Sequence, residues 1–345
     1  MKTLAFATLP VLFSLALMIT ATACADSNQD GNIPRLPANP EEIPPRPEGA
    51  NATRFVVIAD MNSSYGSTTY NEHVHKSIEL IREQLKPKVV FSAGDMIAGQ
   101  HRDLSDDDIR AMWKGFNEAI HDPLGDAGIP FAPVTGNHDA SGYPAFAGER
   151  ELYEEHWTKA DRIPELNYLN KEKYPFHYTF AVGDAFFMAL DITTMKRIDD
   201  ELWDWMEGQL RAAEDYPLRF VSSHIPPCPV SIGREREVIP SPDDDRMREL
   251  FVEHGVSVYF TGHSHAYFKG RKEGLNLVSL NCAGSGPRPL IGTEEPQLQS
   301  FFVVDIVDGR IAEAFTVNSD GTIFDDSTLP EYLEHEGVTL PRFDR

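Results

Sequence analysis

The chain has 345 residues, 41% of them apolar and 25% charged, a balance that fits a globular protein with a sizeable core. Its 54 acidic residues against 31 basic ones leave a formal net charge of -23. So acidic a chain repels a polyanionic backbone, which argues against a nucleic-acid partner, and it admits a phosphate only where the site carries positive charge of its own.

Residues 1–24 read as a secretory signal peptide. Met1 and Lys2 form a minimal basic start, Leu4 to Ile19 are mostly apolar, and Ala21-Thr22-Ala23 precede Cys24. Those last four residues resemble a bacterial lipoprotein box, in which Cys24 becomes the lipidated first residue; ordinary cleavage after Ala23 or Ala25 is the plainer alternative. The expectation is an exported protein of the periplasm or envelope, lipid-anchored to a bacterial membrane, with no other membrane contact. Residues 25–52 carry Pro34, Pro37, Pro40, Pro44, Pro45 and Pro47 and read as an extended tether.

From Arg54 onward strand and helix patterns alternate. Phe55 to Ala59 is a continuous apolar run, the mark of a strand buried on both faces. Val74, Ile78, Ile81 and Leu85 follow at helical spacing and Pro87 ends them. Val89 to Phe91 is the next strand. Ser105 with Asp108 resembles a helix start, continued by the stripe Ile109, Met112, Trp113, Phe116 and Ile120. Phe131 to Val134 is a strand, and Tyr178–Ala181 with Phe186–Asp191 a hairpin around Gly183-Asp184. Later come a helix at 203–213, a strand at 218–222, a helix at 247–254, and strands at 256–260, 275–280, 301–306 and 311–317. This order predicts an α/β fold with a mixed sheet or two packed sheets flanked by helices. Residues 53–318 form one catalytic domain, and residues 319–345 a tail with little pattern.

Five polar blocks each follow one of these strands: Asp60-Met61-Asn62, Gly94-Asp95, Gly136-Asn137-His138-Asp139, His224 and Gly262-His263-Ser264-His265. Sites in α/β sheets form at carboxyl ends of strands, where these blocks lie. Carboxylate, amide oxygen and imidazole together suit Mn, Fe or Zn. A pair of such divalent or trivalent ions can activate water to hydroxide near neutral pH and clamp a phosphate between them. Cys228 and Cys282 are too far apart in sequence for a thiolate metal site, and read as a disulfide or as two buried thiols. Arg234 and Arg236 read as solvated charges in a surface insertion.

The order Asp-x-Asn, Gly-Asp, Gly-Asn-His-Asp, Ser-x-His, Gly-His-Ser-His resembles the calcineurin-like metallophosphoesterase superfamily over roughly residues 54–317. The resemblance implies a four-layer sandwich of two mixed sheets between helices. It implies one metal on Asp60 and His265, a second on Asn137, His224 and His263, and a bridge at Asp95. It also implies that His138 acts at the leaving group, oriented by Asp139. The first block departs from the usual Asp-x-His, so Asn62 is expected as a weaker amide-oxygen ligand. The purple acid branch places a Tyr where this chain has Ala98, so that version of the site is not expected. Arg288, in a Gly- and Pro-rich loop, is a candidate contact for a substrate oxygen. The function expected is hydrolysis of a small phosphate ester, monoester or diester. The alternative is a non-catalytic or single-metal binding module that keeps the fold.

Overall fold

The continuous apolar runs become strands buried on both faces, and these strands position everything else. The computed structural model describes residues 40–343. The expected signal peptide and most of the expected tether lie outside those residues. In chain order the strands are Ala52–Ile58 (β1), Val89–Ser92 (β2), Phe131–Ala132 (β3), Asn167–Lys173 (β4), His177–Val182 (β5), Ala185–Ala189 (β6), Leu218–Ser223 (β7), Val258–Thr261 (β8), Phe268–Lys272 (β9), Leu275–Ser279 (β10), Ser300–Val307 (β11), Arg310–Asn318 (β12), Tyr332–His335 (β13) and Val338–Pro341 (β14).

Twelve of them build two mixed sheets, ordered β12-β11-β1-β2-β3 and β4-β5-β6-β7-β8-β10-β9. In the first, β1, β2 and β3 are parallel, β11 runs against β1, and β12 pairs antiparallel with β11 and so runs the same way as β1. In the second, β6, β7, β8 and β10 are parallel, β5 and β9 run against them, and the edge strand β4 pairs antiparallel with β5.

Alternation along β1 explains how the sheets stack. Phe55 and Val57 point at the second sheet, where the Phe55 ring meets Phe187 at 5.0 Å and Phe220 at 4.8 Å, both edge-on. Val56 and Ile58 point the other way, into a cluster with Ile78, Ile109, Met112 and Trp113 of the helices Glu72–Leu80 and Asp106–Phe116. Helices Asp200–Ala212 and Asp243–Glu253 cover the far face of the second sheet, with Phe251 5.2 Å from Tyr259. The result is the expected four layers: helix, sheet, sheet, helix.

The helix start at Ser105 is a capping box with Asp108, as its spacing predicts. Residues 319–343 are more structured than their pattern suggests. They form the β13–β14 hairpin and place Leu333, Leu340 and Phe343 in the main core. Among the described residues no helix is long and apolar enough to cross a membrane. Cys228 and Cys282 are both buried free thiols, not a disulfide.

Candidate functional site

The chain segments leaving β1, β2, β3, β7 and β8 meet at one rim. Asp60 N donates to Gly94 O at 2.9 Å, Ser222 Oγ to Ser92 O at 2.8 Å, and His224 Nδ1 lies 2.8 Å from Ala93 O. Contacts this close leave no room for side chains at the turns. A Cβ on Gly136 would stand 2.0 Å from the backbone nitrogen of Asp95, and one on Gly94 would stand 2.5 Å from His224 Nδ1. Asp60, Asp95, His263 and His265 all adopt positive φ, between 51° and 65°, a conformation that non-glycine residues reach only when their surroundings enforce it.

The tautomers that satisfy the surrounding carbonyls expose a set of lone pairs. His224 Nδ1 donates to Ala93 O, which leaves Nε2 bare, 2.9 Å from Asn137 Oδ1 and 3.2 Å from Asp95 Oδ2. His263 Nε2 donates to Glu237 Oε2 at 2.8 Å, which leaves the Nδ1 lone pair 3.0 Å from the same Asn137 oxygen and 2.8 Å from Arg234 Nη1. His265 Nδ1 donates to Gly286 O at 2.9 Å, which leaves Nε2 bare, 3.2 Å from Asp60 Oδ1. Ligand atoms of Asp60, Asp95 and His224 fall within 4.8 Å of one another, and all three residues are buried. Asp95 Oδ2 has no hydrogen-bond donor.

Acceptors facing acceptors in a buried site are costly unless a cation lies among them. Without a metal, protons take that part. Burial opposes the charge on His224, but Asp95, Asp60 and the Ala93 carbonyl outweigh it and raise the ring to about 9. Burial likewise works against Asp95, yet His224 and His138 hold its carboxyl below the usual range. Burial lowers His263 to about 4, and its bond to Glu237 lowers that carboxyl to about 2. The donor set therefore fits metal ions.

His138 sits beside this group. Its backbone N–H donates to Asp95 Oδ1 at 2.9 Å, its Nδ1 to Gly99 O at 2.9 Å, and its Nε2 stands 3.9 Å from Asp95 Oδ2. Tyr65 covers the ring, with centroids 5.2 Å apart. The expected bond from Asp139 is absent. Asp139 instead accepts the backbone N–H groups of Asp95, Met96, Ile97 and Gly136 at 2.7–2.9 Å. Neighbouring residues of the short helix Asn137–Ala140 point about 100° apart, so His138 and Asp139 cannot face the same point. Burial and the Asp95 carboxylate push Asp139 up to about 7, against the pull of its amide donors.

Asn62 also departs from expectation. Its amide oxygen and its backbone carbonyl both accept from the Ser285 hydroxyl, so that oxygen is already engaged and no bond turns it toward Asp60 or His265. Tyr65 is 58% exposed and packs on His138 and His101, so it does not take over the missing ligand.

Above the lone pairs opens a cleft of about 440 Å³ whose lining includes His138, His265, Asn62, Arg234 and Arg288. Arg288 thus lies where the sequence placed it. Arg234 corrects the solvated reading: its side chain is 13% exposed, with Nη1 2.8 and 2.9 Å from the ring nitrogens of His263 and 3.1 Å from Glu237 Oε2. Arg236 is exposed, as expected. Glu237, and Gln100 whose Oε1 accepts from Asn137 Nδ2 at 2.6 Å, were not legible in sequence. Both sit in turns without periodicity, and only the folded chain brings them to ligands 26 and 37 residues away.

The chain spans 58% of the length of the bovine Serine/threonine-protein phosphatase CPPED1, with 26% identity over 197 residues, 52% of this chain. The human protein of that name is 22% identical over 245 residues, covering 64% of this chain and 69% of its own. The solved purple acid phosphatase PPD1 from yellow lupin superposes with a TM-score of 0.59 at 17% identity, over 82% of this chain and 54% of that one. GAP50, the anchor in the inner membrane complex of Plasmodium, superposes at 0.53 and 14% identity, over 79% and 86%. These likenesses bear on the fold. The family model described as Calcineurin-like phosphoesterase matches residues 53–267, which hold all five blocks, and on that match the chain belongs to the calcineurin-like phosphoesterase family.

Proposed function

We propose that this protein hydrolyses a phosphate ester at a two-metal site on the rim. Asp60 and His265 would hold one ion, Asn137, His224 and His263 the other, and Asp95 both. Such ions supply an activated water at neutral pH and balance the charge of the phosphate. The observation that carries the reading is the convergence of His224 Nε2, Asn137 Oδ1 and His263 Nδ1 around Asp95 Oδ2, a buried carboxylate oxygen that no hydrogen-bond donor meets. His138, held by Gly99 O through Nδ1, presents Nε2 beside Asp95, from where the doubly protonated ring would give its Nε2 proton to the leaving oxygen. Arg288 meets a phosphate oxygen from the cleft wall. The cleft is wide enough for a small ester or a phosphorylated side chain, and the curated relatives named as serine/threonine-protein phosphatases favour a monoester.

The test is a panel of aryl phosphate monoester, aryl diester and phosphoserine peptide with Mn, Fe or Zn restored after chelation. Turnover should need metal, and His138→Ala should lower it by about 10²–10⁴-fold while two ions stay bound. Unchanged turnover in that variant sinks the role given to His138. The second reading, a single-metal or non-catalytic module, draws on the engagement of Asn62 by Ser285. One ion per chain and no turnover on any ester would select it. We also propose export and lipidation at Cys24, testable by labelling with a palmitate analogue in cells expressing the wild type and Cys24→Ser.

A further inference from the structure

The metal ligands Asn137 and His263 each have two ways to present themselves. An Asn amide can turn its oxygen or its nitrogen toward an ion, and a neutral imidazole can carry its proton on either nitrogen. Only one choice in each case gives a lone pair. Two residues outside the ligand set make both choices.

Gln100 Oε1 accepts from Asn137 Nδ2 at 2.6 Å, so the NH2 end faces Gln100 and Oδ1 is left for His224 and His263. Gln100 is itself held. Its backbone has φ of 62°, its N–H donates to Glu149 Oε2 at 2.8 Å, and its Nε2 donates to Ser141 Oγ at 3.1 Å. With its amide nitrogen on Ser141, Gln100 has Oε1 turned to Asn137. On the other side, Glu237 Oε2 accepts from His263 Nε2 at 2.8 Å and so leaves Nδ1 unprotonated. Arg234 Nη1 bonds the same Glu237 oxygen at 3.1 Å and steadies it; it also lies 2.8 Å from Nδ1, so an ion there would take over a lone pair that the guanidinium meets in its absence.

We infer that Gln100 and Glu237 are positioning residues that set the affinity of one of the two ions, by aiming the Asn137 oxygen and the His263 Nδ1 lone pair at a shared point. The inference rests on the two-metal reading above. Partners of this kind, behind metal ligands, change affinity by about 10–100-fold when removed. Asp60 and His265 have no bond to either residue, so the other ion should be untouched.

The experiment is Mn(II) titration of the metal-stripped full chain, followed by calorimetry and electron paramagnetic resonance, without substrate. Wild type should bind two ions. Gln100→Met and Glu237→Met, which keep bulk but remove the acceptor, should each weaken one ion about 10–100-fold and leave the other within threefold. Gln100→Glu and Glu237→Gln keep an acceptor oxygen and should stay within about fivefold of wild type at that ion. Circular dichroism confirms that each variant is folded. If wild type binds fewer than two ions, the two-metal reading fails and the inference falls with it. If wild type binds two ions and the Met variants match it, positioning by these residues is refuted while the two-metal reading stands. An equal loss in the acceptor-keeping variants refutes the hydrogen-bond account as well.

Discussion

Asp139 Oδ2 accepts the backbone N–H of Asp95 at 2.8 Å, so one block of the site is held in place by the carboxylate of another. Met96 N and Ile97 N donate to the second oxygen at 2.7 and 2.9 Å, and Gly136 N shares the first at 2.8 Å. This one fully buried side chain closes the turn after β2 onto the turn after β3.

Removing it should therefore cost stability before it costs chemistry. Asp139→Ala leaves four buried N–H groups without an acceptor, at about 1–3 kcal/mol each when taken singly. The groups are neighbours and relax together, so we expect a total of roughly 3–5 kcal/mol by urea unfolding. Asp139→Asn, with one oxygen in place of two, should fall between. A loss under about 1 kcal/mol in Asp139→Ala would show that water takes over the amides.

The parts of the fold that sequence reveals are those whose burial is complete and local. β1, β2 and β8 are continuous apolar runs because both faces are covered. β4 was missed for the opposite reason: Asn167–Lys173 is a half-exposed edge strand, and its pairing with β5 shifts register twice. The β13–β14 hairpin was missed because each strand is four residues long and holds one buried leucine. The site divides similarly. Residue type and strand-end position point to Asp60, Asp95, Asn137, His224, His263 and His265. The roles of Asp139, Asn62, Gln100 and Glu237 depend on which atom faces which partner, and chain order does not contain that.

Asn62 gives a sharp case. Its side-chain oxygen is bonded by Ser285, so Asn62→Ala should change Mn(II) affinity by less than about threefold, while Asp60→Ala should lose an ion entirely. A drop for Asn62→Ala as large as that for Asp60→Ala, read by calorimetry, would mean that Asn62 leaves Ser285 when metal binds.

The strand that delivers Asp60 is fastened by a buried ion pair. Arg54 in β1 bonds Asp305 in β11 through Nε at 2.7 Å and Nη2 at 2.6 Å, and the guanidinium also donates to the carbonyls of Pro44 and Pro45. Both side chains are nearly inaccessible. Arg54→Met strands the Asp305 carboxylate and should cost about 3–5 kcal/mol. Adding Asp305→Leu removes the stranded charge, so the double variant should be more stable than Arg54→Met alone. If the double variant is no more stable than Arg54→Met, the lost bonds to the Pro44 and Pro45 carbonyls carry the cost and not the stranded carboxylate.

A pH effect on stability should come from His156, far from the ligand set in sequence and in the helix Ala147–Trp157. Its ring is stacked on Trp113 at 4.4 Å, its Nε2 is buried without a partner, and Arg162, His121 and Lys159 place positive charge nearby against the single carboxylate of Asp122. Burial first and these cations second lower it from 6.5 to about 3. The unfolded chain takes up a proton near 6.5 and the folded chain does not until about 3. Between those values the unfolded state binds more protons, so stability falls as pH falls. Above about 6.5 both states are neutral and the residue contributes no slope. Within the window the loss is about 1.4 kcal/mol per pH unit. His156→Phe keeps the stacked ring and removes the titration, so its stability should decline less steeply than wild type between about pH 6 and pH 4. Parallel curves from urea unfolding at half-unit steps would mean that another group carries the acid limb.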